Sequence, residues 1–259
     1  MGESSGEAPR VFLTGASSGI GAALARHYAA RGATLGLVAR RAEALQALKN
    51  SLGTPAELYA CDVRDRPALS AAGEQFIALH GVPDIVIANA GISHGTLTEI
   101  AADAPVFRDI LEVNVMGMVH TFQPFVAAMR ARGSGTLVGI ASVAGFRGIP
   151  GASAYSASKA AAIRYLEALR VELHGTGVQV TTICPGYIAT AMTAKNPYRM
   201  PFLLEADDAA RRFARVIDEG RSYAIIPWQM AIVGRILAVL PNALFDRLAA
   251  RAGRKPRKD

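Results

Sequence analysis

Tyr155 and Lys159 stand four positions apart, so any helix that carries them puts both on one face. Their neighbours Ser156, Ala157, Ser158, Ala160, Ala161 and Ala162 are small, which lets a flat cofactor or another backbone come close. An unperturbed tyrosine has a pKa of about 10 and is a poor acid at neutral pH. A nearby ammonium favours the phenolate, so Lys159 is expected to lower the Tyr155 pKa. The phenol can then protonate a carbonyl oxygen or accept a proton from an alcohol. Ser142, thirteen positions upstream, can hydrogen-bond the same oxygen from the other side. A Y-x-x-x-K pattern alone is a common accident of sequence, and its meaning depends on what positions it.

The apolar run Val11–Leu13 leads into Thr14–Gly21 (TGASSGIG), then into a helical pattern from Ala22 to Ala30. Strand, glycine turn and helix suit a pyrophosphate: Gly15, Gly19 and Gly21 supply a tight turn, close approach and close packing. The helix N-terminus, with Ser17, Ser18 and Ile20 around it, presents free N–H groups. The second strand, Leu35–Val38, ends at Ala39-Arg40-Arg41, with no Asp or Glu from Arg31 to Arg41. An acid there would hold a ribose 2′-hydroxyl, whereas an arginine accommodates a 2′-phosphate. Arg40 therefore points to NADP over NAD; the plainer alternative has it open the amphipathic helix to Leu52.

A third strand, Glu57–Ala60, precedes Asp62 and Val63, where a carboxylate can accept from an adenine amino group. A fourth, Asp84–Ala88, precedes Asn89-Ala90-Gly91, small enough to leave room for a ribose. Ala104–Arg132 reads as one long helix bent near Gly117, with Asn114 in an apolar setting; a buried amide needs partners, structural or functional. Gly135–Ala141 delivers Ser142, Ala154–His174 carries Tyr155 and Lys159, and Val178–Cys184 ends at Pro185-Gly186. Thr190–Leu204 reads as a lid, Glu205–Glu219 as a helix and Tyr223–Ile226 as a last strand. Alternation of strands and helices predicts a Rossmann-type, doubly wound α/β fold: a parallel sheet of about seven strands with helices on both faces. Ligands bind such sheets at the carboxyl ends of the strands, where all these residues except Asn114 fall.

The chain has 259 residues, 51% of them hydrophobic, and a net charge of +7. Six basic residues lie between Arg247 and Asp259, so the body is near neutral and nucleic acid is not an expected partner. Cys61 and Cys184 are too far apart in sequence for a disulfide framework or metal site, and read as buried thiols in a reducing, cytoplasmic setting. No secretory signal or membrane-spanning run is visible. The domain reading is a flexible extension (1–9), a catalytic dinucleotide-binding domain (10–226) and an apolar helical extension with a basic tail (227–259). Met230–Leu240 is apolar nearly all round, so a cover is expected. The candidate covers for 228–258 are a partner subunit in a homo-oligomer, the inner face of a membrane, or the chain's own domain.

With TGASSGIG (14–21), CDV (61–63), NAG (89–91), Asn114, Ser142, YSASK (155–159) and PGYIAT (185–190) in order, the chain resembles the short-chain dehydrogenase/reductase family from about Pro9 to Tyr223. The resemblance implies Tyr155 as acid/base and Ser142 as the group that polarises the substrate oxygen. It implies that Lys159 binds the nicotinamide ribose and that Asn114 holds a water linked to Lys159. It also implies that Ile188 and Thr190 contact the carboxamide. The expected activity is NADP-dependent interconversion of a hydrophobic ketone and its secondary alcohol. The alternatives are a 3-oxoacyl thioester reductase and a non-catalytic NADP-binding sensor, which would be free to lose the Ser-Tyr-Lys-Asn set. Ser93, His94, Phe146, Ile149, Pro150, Tyr187, Met192, Met200 and Phe202 are expected to face the substrate. His94 is either a hydrogen-bonding partner there or a solvated loop residue.

Overall fold

The computed structural model describes residues 8–250 and 253–257; positions 1–7 of the N-terminal extension, and Arg251 and Lys258 of the basic tail, lie outside the described residues. The elements follow as β1 (Arg10–Thr14), α1 (Gly19–Ala29), β2 (Thr34–Ala39), α2 (Ala42–Leu52), β3 (Ala56–Ala60), α3 (Arg66–His80) and β4 (Ile85–Ala88). Next come α4 (Asp103–Leu111), α5 (Gly117–Arg132), β5 (Gly135–Ile140), α6 (Ser153–Glu172) and β6 (Val178–Pro185). The chain continues through β7 (Ile188–Ala189), β8 (Leu204–Glu205), α7 (Ala206–Asp218), β9 (Tyr223–Ile226), α8 (Gln229–Val239) and α9 (Asn242–Ala249).

Seven strands form one parallel sheet in the order β3-β2-β1-β4-β5-β6-β9. Side chains alternate across it. Val11 and Leu13 pack with Tyr28, Leu45 and Phe213 of α1, α2 and α7, whereas Phe12 packs with Phe76, Phe122 and Phe125 of α3 and α5. Both faces are covered, which is why the strands read as continuous apolar runs. The order reverses between β1 and β4, and a crevice opens there beyond the carboxyl ends.

The long helix expected over 104–132 is interrupted, not simply bent. Between α4 and α5, Glu112–Met116 form a π-helical turn centred on Asn114. Such a turn adds a residue to the helix without breaking it, and turns of this kind concentrate at functional sites. The segment expected as a lid is tethered by pairing of Ile188 with Leu204 and of Ala189 with Glu205. Thr193 Oγ1 fastens it further, donating to the Ile188 carbonyl at 2.6 Å.

At the amino ends of the central strands β1 and β4, Asp84 accepts from the Arg10 backbone N–H and guanidinium and from Arg132. Burial alone would raise its pKa, but the Arg10 hydrogen bonds and the Arg132 charge hold it below the usual carboxylate range. A depressed folded pKa contributes stability above the ordinary value of about 3.9, lost as pH falls through the lower folded value. Asp84→Asn should therefore cost roughly 1–2 kcal/mol at neutral pH, discounted for partial exposure. The difference from wild type should shrink in acid; urea melts at neutral and acid pH check both.

Candidate active site

The glycine turn is fixed from behind. Asn89 Nδ2 donates to the carbonyls of Thr14 (3.1 Å) and Gly15 (3.2 Å), and Thr14 Oγ1 accepts from the Asn89 and Ala90 N–H groups. Gly15 and Gly19 have φ of +69° and +54°, which favours glycine. A β-carbon on Gly21 would run into the Gly15 carbonyl and Asn89, so Gly21 serves packing and does not line the cleft. No side chain caps α1, and its first N–H groups face the cleft beside Ser17, Ser18, Gly19 and Ile20. That is the donor set an anionic pyrophosphate needs.

At the end of β2, Arg40 is exposed and lies 3.8 Å from Asp62. Arg41, read from the sequence only as a helix start, sends Nη2 to Ser17 Oγ at 3.2 Å and lines the cleft with Arg40. Asp62 is held mainly by Arg64 (2.8 Å), and this hydrogen bonding outweighs burial to keep its pKa low. Val63, Asn89, Ala90, Gly91, Pro185, Gly186, Ile188 and Thr190 complete the wall. Cys61 is only half-buried and belongs to the same wall, a place its sequence context did not suggest.

The strand-end loop and α6 bring the reacting groups together. Ser142, buried after β5, accepts from the Ala144 N–H at 3.1 Å. A β-carbon on Gly145 would strike the backbone of Lys159 and Ala160, so that glycine lets the Ser142 loop lie on α6. The small serines around Tyr155 also have work. Ser156 Oγ accepts from the Ile149 N–H at 3.2 Å, and Ser158 Oγ donates to the Tyr155 carbonyl at 2.8 Å and accepts from Asn114 Nδ2 at 2.9 Å. Asn114 is also doubly bonded to the Ile92 backbone, with Oδ1 accepting at 2.8 Å and Nδ2 donating at 3.0 Å. It lies behind the cleft wall, joining the loop after β4 to α6.

Lys159 is buried, and Nζ donates to the Ile140 carbonyl at 2.7 Å. An ammonium has three donors, and no acid pairs with this one among the described residues. The spare donors at the cleft fit ribose hydroxyls. Burial lowers the Lys159 pKa to about 8. The expectation that Lys159 lowers the tyrosine pKa is not met: Lys159 is not among the groups that set it. Burial of Tyr155 raises it, against the hydrogen bond with Ser142. Lys159 sits 5.8 Å from the ring centroid, is committed to Ile140, and has itself lost affinity for its proton. Tyr155 is thus a neutral phenol at neutral pH, poised as a proton donor.

The Lys159 cation is present below about pH 8 and lost above it, so dinucleotide affinity should weaken several-fold as pH rises through that value. Titration by NADPH fluorescence checks this; constant affinity across the range contradicts it.

Of the residues expected to face the substrate, Met192 lines the cleft itself. Phe146 is instead taken up by packing on Gly234 of α8, where a β-carbon would collide with its ring. Arg147 next to it donates to the Leu237 and Leu240 carbonyls and stacks on Phe245 at 4.4 Å. The Ser142 loop therefore docks the C-terminal extension, which its motifs did not reveal. Tyr187 meets Tyr198 edge to face. Ile149, Pro150 and Phe202 are exposed and Met200 is half-buried. Ser93 is buried with an unbonded hydroxyl.

A family model described as short chain dehydrogenase matches residues 9–200. An uncharacterized oxidoreductase of Myxococcus xanthus is 41% identical over 243 residues, covering 93% of this chain and 96% of that one. An alcohol dehydrogenase from the archaeon Thermococcus sibiricus, solved with 5-hydroxy-NADP, superposes with a TM-score of 0.75 and 25% identity, over 85% of this chain and 96% of its own. A short chain dehydrogenase/reductase of Burkholderia phymatum, solved with NAD, has the same fold: TM-score 0.82, 24% identity, coverage 98% and 99%.

Proposed function

The chain belongs to the short-chain dehydrogenase/reductase family of oxidoreductases, and from that premise we propose that it is an NADP-dependent reductase of a hydrophobic ketone. The observation that carries this reading is the meeting of Ser142, Tyr155 and the buried Lys159 on the wall of one cleft with the glycine turn. A nicotinamide dinucleotide held in this cleft would supply the hydride. Ser142 holds the substrate oxygen and stabilises its developing charge. Tyr155 donates the proton. Lys159 orients the ribose, and Asn114 holds α6 in register with the loop after β4. Arg40 and Arg41, with no acid on β2, support NADP over NAD. Loss of NADPH absorbance against a panel of aryl and alkyl ketones tests the proposal. Turnover of several apolar ketones is expected; NADPH binding with no turnover of any carbonyl compound would favour the sensor alternative.

The proposal extends to a partner. Among the described residues, α8 buries only Met230 and Gly234, leaving Trp228, Ile232, Ile236 and Val239 exposed along one side, followed by Leu244 and Leu248. A membrane-surface helix of this kind carries lysines and arginines beside its apolar face. Here Arg235 is the one charge on α8, and the tail turns inward, with Arg257 on Asp103. These features support a second copy of the chain as the cover. Light scattering of wild type and of Ile232→Glu/Ile236→Glu tests it: a dimer that the variant dissociates is expected. A monomeric wild type that sediments with anionic vesicles would favour the membrane instead. No helix among the described residues is long and apolar enough to cross a bilayer.

A further inference from the structure

Residues 253–257 return across the mouth of the site. The Gly95 N–H donates to the Pro256 carbonyl at 2.8 Å, and Gly95 pairs with Arg257 as a short parallel bridge. A side chain on Gly95 would collide with the Lys255 carbonyl. Arg257 closes a salt bridge at 2.8 Å on Asp103, a carboxylate only 5% exposed that also accepts from the Leu97 N–H. The Arg254 side chain lies against Gly151, and Gly253 against the Tyr198 ring. The strap thus bridges the loop after β4, the loop before α6 and the tethered segment after β7.

Between these anchors Lys255 turns inward. Its Nζ lies 5.5 Å from the centroid of the Tyr155 ring. Lys159 lines the dinucleotide cleft and Lys255 does not, although both ammonium groups lie close to the Tyr155 ring, 5.8 and 5.5 Å from its centroid. Lys255 has no acid and no hydrogen-bond acceptor among the described residues. Burial alone lowers its pKa to about 8. A second orphan lies on the loop that the strap pairs with: Ser93 Oγ, on a residue 8% exposed, has no partner. A half-buried cation with no acid beside it, next to a catalytic phenol, is costly unless an anion joins it. One ammonium matches one negative charge, which suits a carboxylate better than a phosphate dianion.

We propose that the strap is part of the substrate site and that Lys255 binds a carboxylate on the ketone, so that the preferred substrates are oxo acids with an apolar body. This deepens the reductase reading and rests on it. The strap supplies a cation that the apolar residues read from the sequence do not.

The test uses the full chain as wild type, Lys255→Met and Lys255→Arg. Turnover with NADPH is measured on benzoylformate, benzoylpropionate and benzoylbutyrate, each beside its methyl ester. For the acid of the best-fitting length, kcat/KM should exceed that of the ester by at least about tenfold in wild type, as expected for a charged hydrogen bond. The ratio should fall toward unity in Lys255→Met and be largely kept in Lys255→Arg. Decanoate and decanol are then compared as non-reducible probes by thermal shift in the presence of NADPH. Stabilisation by decanoate in wild type, lost in Lys255→Met, supports the site even if no ketone turns over, an outcome that would count against the reductase reading alone. Equal decanoate shifts in the two proteins, or acid-to-ester ratios unchanged by Lys255→Met, overturn the proposal. Faster turnover of acids and esters alike in Lys255→Met also overturns it, because the strap would then be a plug.

Discussion

Tyr155→Phe should lower kcat for ketone reduction by about 10²–10⁴-fold, the usual contribution of a positioned general acid, and leave NADPH affinity within a factor of about two. The substitution keeps the ring, and with it the packing of α6, and removes one oxygen. The Ser158 and Asn114 bonds that hold the helix use the Tyr155 backbone carbonyl and the Asn114 amide, so they survive. Lys159 remains anchored on Ile140. Stopped-flow turnover beside NADPH fluorescence titration separates the two effects. A variant retaining more than about a tenth of wild-type kcat would remove Tyr155 from the acid's role. A parallel loss of cofactor affinity would mean that the hydroxyl serves binding.

Replacing Arg40 by Asp and Arg41 by Ala together should weaken NADPH binding by roughly 100-fold or more, since charge-assisted hydrogen bonds contribute about 1.5–3 kcal/mol each. Arg40→Asp alone should give about a tenth of that effect. It should also improve NADH use, by placing a carboxylate where a ribose hydroxyl can donate to it. Asp62 is not left unpaired by the change, because Arg64 holds it at 2.8 Å. The double variant isolates Arg41, whose guanidinium reaches Ser17 at the glycine turn. Dissociation constants for NADPH and NADH, measured on the three proteins, check the series. Equal affinity of the wild type for the two cofactors would show that neither arginine selects a 2′-phosphate.

The cleft was legible because it is built from local rules. A glycine turn between a strand and a helix, small residues after a strand and an i,i+4 pair all act through nearest neighbours in sequence. Gly15, Ser142, Tyr155 and Lys159 therefore fall where their spacing put them. Roles that depend on distant contacts were not legible. Asn89 reads in the sequence only as part of a turn that leaves room for a ribose; it lines the cleft, and its amide also braces the glycine turn from behind. The π turn at Asn114 has no periodicity signal distinct from a bent helix. The direction of the Tyr155 shift turned on how much of the ring is buried and on where the Lys159 ammonium is spent, both set by tertiary packing. The tail shows the limit most clearly: the sequence left three covers open for 228–258, and only packing brings Arg257 to the buried Asp103 from 154 positions away.

Isotope transfer follows the hydride from cofactor to product. NADPH carrying deuterium at the hydride position of the nicotinamide is incubated with wild type, Tyr155→Phe and an aryl ketone, and the alcohol is analysed by mass spectrometry and NMR. Hydride transfer with Tyr155 as the acid should place one deuterium on the carbinol carbon, on a single face, in the wild-type product, and leave at most traces of product from Tyr155→Phe. Alcohol without deuterium, or labelled alcohol formed equally well by both proteins, would contradict it.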